Sequence, residues 1–297
     1  MHYSRIMVPL DGSDAGEIVL PYAEEFATRL GSEIILVNVS ESTFVAIAQL
    51  SRPYLTHVAE RLASNISERR GEAHAKILTQ MLVGKPVDEI LHHATEAHVD
   101  LIVMASRLSG GGPWPLGTVA AKVLRATDIP VLLVRTPARK DALERRMLMR
   151  RVLVPLDGSR LGEGAVSHVE TLAGSLGAEV VLLHIVDPLI VQPMYGPLLS
   201  YPLPVPEGEE AMRAEAKAYL SGVEKTLSEK GLETTGEVLF GSPADQIIDF
   251  AERNDIDLIA LSSHGRSGIG RWVFGSVTDK VLHAGDTAVL VIRPAKK

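Results

Sequence analysis

This chain contains an internal sequence repeat, and the duplication constrains its fold more than any other feature. The hexapeptide Val-Pro-Leu-Asp-Gly-Ser occupies residues 8–13 and returns letter for letter at 154–159. Three further segments repeat in the same order, at residues 84–90 and 241–247, 100–103 and 257–260, and 130–135 and 288–293. Each copy spans about 140 residues, the size of one domain. We therefore predict two domains, residues 1–141 and 151–297, joined by a linker over residues 142–150.

The composition is that of a globular chain. Of the 297 residues, 46% are hydrophobic and 23% are charged, and the formal net charge is −7. This negative charge argues against a broad surface for nucleic acid or for an anionic membrane. The chain has no cysteine, which excludes disulfides and thiolate chemistry. It also shows no signal-peptide pattern and no apolar run of the roughly 18 residues that a bilayer span needs. We expect a cytoplasmic protein without nucleic-acid or membrane partners.

Short apolar runs alternate with longer amphipathic ones in each copy. In the second copy, the short runs predict strands at Arg151–Pro155, Glu179–Val186, Thr234–Phe240, Asp257–Ser262 and Ala288–Ile292. The second of these runs is almost continuously apolar, which is typical of a parallel strand buried on both faces. The order β-α-β-α-β-α-β-α-β predicts an α/β fold. Each half would be a doubly wound, mostly parallel five-stranded sheet with helices on both faces.

A proline-rich stretch from Pro188 to Pro206 interrupts the second copy. It contains six prolines, and proline fixes φ and removes a hydrogen-bond donor, so regular structure is not expected there. The stretch is either a surface excursion before a helix over Glu209–Ser228 or a flap over a ligand crevice. The second interpretation arises because ligands of open α/β sheets bind at the carboxyl ends of the strands, where this stretch begins.

A glycine-rich loop follows the fourth strand of the second copy. It contains Gly265, Gly268 and Gly275 and leads into a helix predicted over Val277–His283. Glycines let backbone N–H groups turn toward an anion and let a ligand come close. The start of a helix favours phosphate, and the Ser276 hydroxyl could cap the helix or bond a phosphate oxygen. The spacing matches neither a P-loop nor Gly-x-Gly-x-x-Gly.

These motifs resemble those of the universal stress protein family. The resemblance rests on the strand that leads into Pro-x-Asp-Gly-Ser and on Gly-x9-Gly-Ser-Val before the last helix, and it covers nearly the whole chain, twice over. It implies two tandem flavodoxin-like (adenine nucleotide alpha hydrolase-like) domains. In one branch of the family it also implies ATP bound in this loop, with the motif Gly-x2-Gly-x9-Gly-(Ser/Thr). Ser262 stands where that motif has its first glycine.

The resemblance assigns binding roles in the second copy by position. The phosphates would be faced by Gly265, Gly275, Ser276 and Val277. Asp157 would lie beside the base and ribose, and the backbone of Ile185 would meet the adenine edge. Asp157 also fits an N-cap or Asx turn before the next helix, and the two roles can coexist. The candidate set is Pro155, Asp157, Ile185, Ser262, His264, Gly265, Arg266, Gly268, Gly275, Ser276, Val277 and Thr278.

The first copy matches the binding motif less well. Its loop is one residue shorter, and no glycine of the first copy corresponds to Gly265. Pro113 and Pro115 also remove two N–H donors from this loop. We expect the second copy to bind nucleotide well and the first weakly or not at all, unless the glycines at 110–112 form an anion nest by another route. The candidates that remain in the first copy are Asp11, Val39, Gly117, Thr118 and Val119.

The expected ligand is ATP, with Mg²⁺ accompanying it. AMP and a cyclic nucleotide remain alternative ligands, because backbone amides bind a phosphate group whether the nucleotide carries one phosphate or three. Our leading hypothesis is a nucleotide-binding stress or signalling protein whose occupied state is its output. No motif marks a catalytic base or a metal site, so we assign neither; whether the chain is an enzyme is left open, and the residues favour binding over a reaction. The alternatives are a nucleotide-independent interaction protein, in which Ser262 marks the loss of the site, and a slow ATPase.

The resemblance also concerns the last strand of each copy. It implies that residues 131–134 and 289–292 pair edge to edge, which would make a pseudo-dimer within one chain. Such pairing covers two strand edges that would otherwise invite aggregation. Association of whole chains into a homodimer is left open.

Overall fold

The computed structural model of the chain describes residues 3–41, 45–70, 76–106, 116–135, 142–143, 147–187, 206–263 and 274–293. Within the helices, the side chains of residues 45–51, 70, 206 and 207 are not included in the description. The proline-rich stretch 188–205 and the central parts of both glycine-rich loops, 107–115 and 264–273, lie outside the described residues.

The chain divides into two compact units. The first consists of residues up to Met149 together with Asp286–Arg293. The second begins at Arg150 and includes Phe274–Gly285. Each unit contains one copy of the repeated sequence, except that the last strand of the chain is counted with the first unit.

The first unit is built on a parallel sheet. The strand order is β3-β2-β1-β4-β5, and all four of these pairings are parallel. This is the doubly wound α/β arrangement that the alternation of strands and helices predicted. Its elements, in chain order, are β1 (Arg5–Pro9), α1 (Asp14–Glu17), α2 (Leu20–Leu30), β2 (Glu33–Ser40), α3 (Val45–Arg70), β3 (Ile77–Val83), α4 (Pro86–Glu96), β4 (Leu101–Ala105), α5 (Thr118–Ala126) and β5 (Val131–Val134).

The last strand of the chain, β10 (Ala288–Ile292), pairs with β5 in the antiparallel direction. Val289 lies opposite Leu133, and Val291 lies opposite Val131. The expected edge-to-edge pairing of the two last strands is thereby confirmed, and it gives β5 a partner on its outer edge.

The second unit repeats the same arrangement. Its strand order is β9-β6-β7-β8, and these three pairings are again parallel. The helix over Pro206–Ser228 begins three residues earlier than predicted, and the helix over Ser276–His283 begins one residue earlier. The elements are β6 (Arg151–Pro155), a 3-10 turn (Gly162–Ala165), α6 (Val166–Leu176), β7 (Glu179–Val186), α7 (Pro206–Ser228), β8 (Thr234–Phe240), α8 (Pro243–Arg253), β9 (Leu258–Ser262) and α9 (Ser276–His283).

An aspartate at the amino end of each sheet ties two neighbouring strands together. In the second unit, Asp257 Oδ2 accepts the N–H groups of Arg150 and Arg151 at 2.9 and 3.1 Å. Asp100 does the same in the first unit for the two N–H groups at the start of β1. Strand β9 begins at Leu258, one residue later than predicted, although the Asp257 N–H already donates to Arg151 O at 3.0 Å.

Both faces of the central strands are covered. All five residues of β4 and all five of β9 are buried, which explains why these runs are continuously apolar and do not alternate. No helix among the described residues combines the length and the apolar character that crossing a membrane requires.

The predicted linker packs onto the first unit where it is described. Ala142, Leu148 and Met149 are buried. The Leu148 N–H donates to Glu25 Oε2 at 2.9 Å, and Glu25 is itself only 1% exposed. A buried carboxylate needs donors, so this contact fixes the end of the linker on α2.

A buried histidine in α6 makes stability depend on pH. His168 is 6% exposed, and burial lowers its pKa. Below its ordinary pKa of about 6.5, the unfolded chain takes up a proton that the folded chain resists, so stability falls as pH falls. We expect the urea midpoint to drop between about pH 7.5 and about pH 5.5, and His168→Leu to reduce that drop.

The matched control is His57→Gln, on the exposed surface of α3. It also replaces one histidine within a helix, so it shows the effect of such a substitution where the side chain is not buried. Equal slopes for the parent and His168→Leu would contradict the assignment to His168.

Candidate functional site

At the carboxyl end of the second unit's sheet, β7 continues past the end of β6. The last hydrogen bond between these strands joins the Leu156 N–H to Leu183 O at 2.8 Å. Successive residues of a parallel strand turn their N–H and C=O groups to opposite sides, so Ile185 presents both groups on the side that Leu183 uses. No described residue hydrogen-bonds to either group. Within the described part of the chain, β7 therefore ends in a donor and an acceptor without partners, beside the place where the chain leaves β6.

The first unit has the same open edge. The Leu10 N–H donates to Val37 O at 2.7 Å, and Val39 lies two residues further along β2. On the opposite side, the Gly84 N–H donates to Ser40 O at 3.0 Å, which confirms the alternation. Val39 therefore stands in the first unit where Ile185 stands in the second.

Asp157 forms a tight turn directly after β6. Its Oδ1 accepts the N–H of Ser159 at 3.0 Å and the hydroxyl of Ser159 at 2.6 Å. The Ser159 Oγ in turn accepts the Gly162 N–H at 3.0 Å and so caps the 3-10 turn. In the first unit, Asp11 and Ser13 form the same contacts before α1. The Asx-turn interpretation of Asp157 is thereby confirmed, and it holds the carboxylate at the carboxyl end of the sheet.

Two glycines in this turn were missed by the reasoning from sequence. Gly16 and Gly162 are buried, and each lies five residues after the aspartate of its copy. The signal was present, because Asp-Gly-Ser-x-x-Gly occurs at both 11–16 and 157–162.

Two hydrogen bonds connect the end of β9 to the start of α9. The Gly275 N–H donates to Ser263 O at 3.1 Å, and the Thr278 Oγ1 donates to Ser262 O at 3.1 Å. Ser262, Ser263 and Thr278 are all buried. These bonds fix where α9 begins relative to the carboxyl end of β9.

The first turn of α9 offers unused backbone donors. The first helical bond joins the Asp279 N–H to Gly275 O at 2.9 Å, so the N–H groups of Ser276, Val277 and Thr278 have no acceptor within the helix. The cap residue Gly275 has no side chain that could accept a hydrogen bond, and no described residue accepts these N–H groups. With the positive end of the helix dipole, they form a place where an anion can bind.

The candidate residues that the structure describes differ in which of their hydrogen-bonding groups are already used within the protein. Gly275 has committed its N–H to Ser263, so it offers a ligand close approach and not a donor. The Thr278 hydroxyl is committed to Ser262, whereas Ser276 is exposed. Pro155 is the last residue of β6, paired with Leu183. The remaining candidates His264, Gly265, Arg266 and Gly268 lie outside the described residues, and their roles stay predictions.

The start of α5 in the first unit is built like that of α9. The Gly117 N–H donates to Ser106 O at 2.5 Å, and the Ala121 N–H donates to Gly117 O at 2.9 Å. Thr118 is exposed and Val119 is half-buried, as are their counterparts in α9. Ala120 stands in the place of Thr278, so the hydroxyl bond to the preceding strand is present only in the second unit. The described parts of the two halves otherwise agree.

The charges near α9 are already paired. Lys280 Nζ lies 2.6 Å from Asp245 Oδ1 and donates to Asp245 Oδ2 at 2.8 Å. This hydrogen bond, with one from Ser242, lowers the pKa of Asp245. Both side chains are exposed, so the pair contributes little to stability. Among the described residues, no group of three or more potential metal ligands occurs.

Comparison with known proteins gives one consistent result. A profile of the universal stress protein family matches residues 2–135 and again 149–293. A universal stress protein of Mycolicibacterium smegmatis is 25% identical over 301 aligned positions, which cover 97% of each chain. Another, from Methanocaldococcus jannaschii, is 33% identical over 155 positions, which cover 50% of this chain and 85% of that protein.

A solved structure agrees in fold over the full length. The crystal structure of a universal stress protein from Archaeoglobus fulgidus has a TM-score of 0.73 and covers 99% of this chain and 100% of its own. Its sequence identity is 20%, so the likeness concerns the fold alone. The expected fold class, two tandem flavodoxin-like α/β domains, is confirmed.

The hydroxyl bond between α9 and β9 can be tested by Thr278→Val, which removes the donor and keeps the shape. Because Ser262 O is buried, we expect a loss of about 1–2 kcal/mol in the free energy of unfolding, measured by urea denaturation. The control is Thr226→Val in α7, where an exposed hydroxyl bonds Gly222 O at 3.0 Å and water can replace it. Equal losses for the two variants would contradict a specific role of the Thr278 bond.

Proposed function

This chain belongs to the universal stress protein family, whose sequence it contains twice in tandem, and we propose that its second half binds an adenine nucleotide, with ATP as the expected ligand. The observation that carries the proposal is the uncapped first turn of α9. This turn has three consecutive N–H groups without acceptors among the described residues. They can donate hydrogen bonds to the oxygens of a phosphate. The Gly-x9-Gly-Ser motif ends at this turn.

The open edge of β7 supports adenine as the base. Ile185 offers a backbone N–H and a backbone C=O on the same side. Adenine carries an amino donor next to ring-nitrogen acceptors, so its edge can satisfy both groups. Ligands of open α/β sheets bind outside the carboxyl ends of the strands, where this edge and the start of α9 both lie.

Asp157 completes the proposed site. Its carboxylate is held at the end of β6 by Ser159, and carboxylates in α/β nucleotide sites accept hydrogen bonds from ribose hydroxyls. Mg²⁺ would be held mainly by the phosphate oxygens and water, as is usual for this ion. The described residues supply no cluster of ligands for it.

We propose binding, and not a reaction, as the output of this site. The carboxylate nearest to the proposed ligand already accepts two hydrogen bonds within its own turn, so it is poorly suited to remove a proton from water. A bound nucleotide then acts by favouring one conformation over another. The proline-rich stretch from Pro188 to Pro206 stays our hypothesis for the part that responds, and its residues 188–205 lie outside the described residues.

Ser276→Pro tests the phosphate end of the site. Ser276 is the first residue of α9, where proline is tolerated, and the preceding Gly275 has φ −59° and ψ 149°, which suits a residue before proline. The substitution should remove one N–H donor and the hydroxyl without unfolding the helix. We expect ATP affinity, measured by isothermal titration, to fall about tenfold or more with an unchanged melting temperature.

Two comparisons sharpen this experiment. Ser276→Ala removes only the hydroxyl and separates its contribution from that of the amide. Thr118→Pro makes the same change at the start of α5, after Gly117 with φ −64° and ψ 149°, so the larger loss identifies the half that binds. Two equal sites per chain would contradict our preference for the second half. A parent protein that binds no nucleotide would instead favour a nucleotide-independent interaction protein.

A further inference from the structure

The glycine five residues after each aspartate lies against the aspartate's carboxylate. A Cβ atom built on Gly16 would lie 2.6 Å from Asp11 Oδ1. One built on Gly162 would lie even closer to Asp157 Oδ1 and 3.4 Å from Asp157 Cγ. Cβ atoms in folded proteins essentially never show contacts this short, because carbon and oxygen repel each other strongly when their van der Waals radii overlap. In both halves, the carboxylate therefore occupies the space that a side chain would fill.

Backbone conformation does not explain why these two positions are glycine. Gly12 and Gly158, in the same turns, have φ values of +86° and +77°, which favour glycine for conformational reasons. Gly16 and Gly162 are not among the residues with positive φ. An alanine could adopt their backbone conformation, so the obstacle to it is the carboxylate.

The hydrogen bonds of the turn leave the carboxylate little freedom to move aside. In the second half, Oδ1 of Asp157 accepts both the N–H and the hydroxyl of Ser159. The same hydroxyl accepts the Gly162 N–H at 3.0 Å, and a Cβ on Gly162 would also come within 3.3 Å of it. Shifting the carboxylate would disturb both the turn and the cap.

We propose that Gly162 is a positioning residue for nucleotide binding: the absence of its side chain sets where the Asp157 carboxylate lies and so how well that carboxylate meets the nucleoside. The inference rests on the proposed function, in which Asp157 faces the ribose. Gly162 would not touch the ligand itself. It would act only through Asp157, at the nucleoside end of the site and away from the phosphates at α9.

The first test measures the contact without any ligand. Gly162→Ala, Asp157→Ala and the double variant form a double-mutant cycle read by urea denaturation. We expect Gly162→Ala to lower the urea midpoint in the parent protein. In the Asp157→Ala background, the same substitution should lower it much less, because the carboxylate it would strike is gone. Additive effects would show that the two residues do not constrain each other and would overturn the inference.

The second test separates the nucleoside end from the phosphate end. ATP and inorganic tripolyphosphate are titrated into the intact chain. Gly162→Ala should weaken ATP binding by about tenfold, a factor that corresponds to the loss of one good polar contact, and should leave the affinity for tripolyphosphate unchanged. Ser276→Pro should weaken both. A loss of ATP affinity that tripolyphosphate shares equally would indicate a general disturbance of the fold and would overturn the positioning role.

The matched control is Gly222→Ala in α7. A Cβ there meets nothing within 4 Å, and alanine favours a helix over glycine. We expect an equal or higher urea midpoint and an unchanged ATP affinity. If Gly162→Ala behaves like this control while the parent protein binds ATP, the inference fails and the proposed function stands. If the parent protein binds neither probe, the proposed function fails, and the ligand role of Gly162 fails with it.

Discussion

The hydrogen-bonded ladder of the parallel sheet is the constraint on which the rest of this structure depends. Backbone hydrogen bonds between two neighbouring strands stop where the shorter strand ends. β6 leaves the sheet after Leu156, whereas β7 runs on to Val186. The backbone groups of Ile185 are therefore left without a partner strand. A polar group left unpaired at a sheet edge has to meet water or a ligand, so the end of the shorter strand determines where a ligand can lie.

The two ends of each sheet serve different purposes. At the amino end, Asp100 and Asp257 use their carboxylates to bind the N–H groups that open the first strand of each copy. At the carboxyl end, Asp11 and Asp157 are bound to their own turns and remain beside the open strand edge. One equivalent pair of aspartates, Asp100 and Asp257, thus stabilises the amino end of each sheet. The other pair, Asp11 and Asp157, forms the turns at the carboxyl end.

Most of the fold could be predicted from residues alone, because burial on both faces makes a parallel strand continuously apolar. Four of the five strands predicted in the second half have the predicted bounds, and β9 starts one residue later, where Asp257 serves as a tie. The site was harder to predict. Which amides are free depends on which are already paired. Nothing in the sequence shows that the Gly275 N–H belongs to Ser263 or that the Thr278 hydroxyl belongs to Ser262.

The sequence by itself determined the duplication, the α/β class, the family and the loops that end at Gly117 and Gly275, since these follow from repeated letters and from local periodicity. Only the tertiary structure decided that a carboxylate, and not its own φ, leaves no room for a side chain at Gly162, and that no other described residue pairs with the backbone groups of Ile185. The physical reason is that both depend on distances between segments that the chain brings together only when it folds. A one-dimensional pattern records which residues recur but not which atoms come to share the same space.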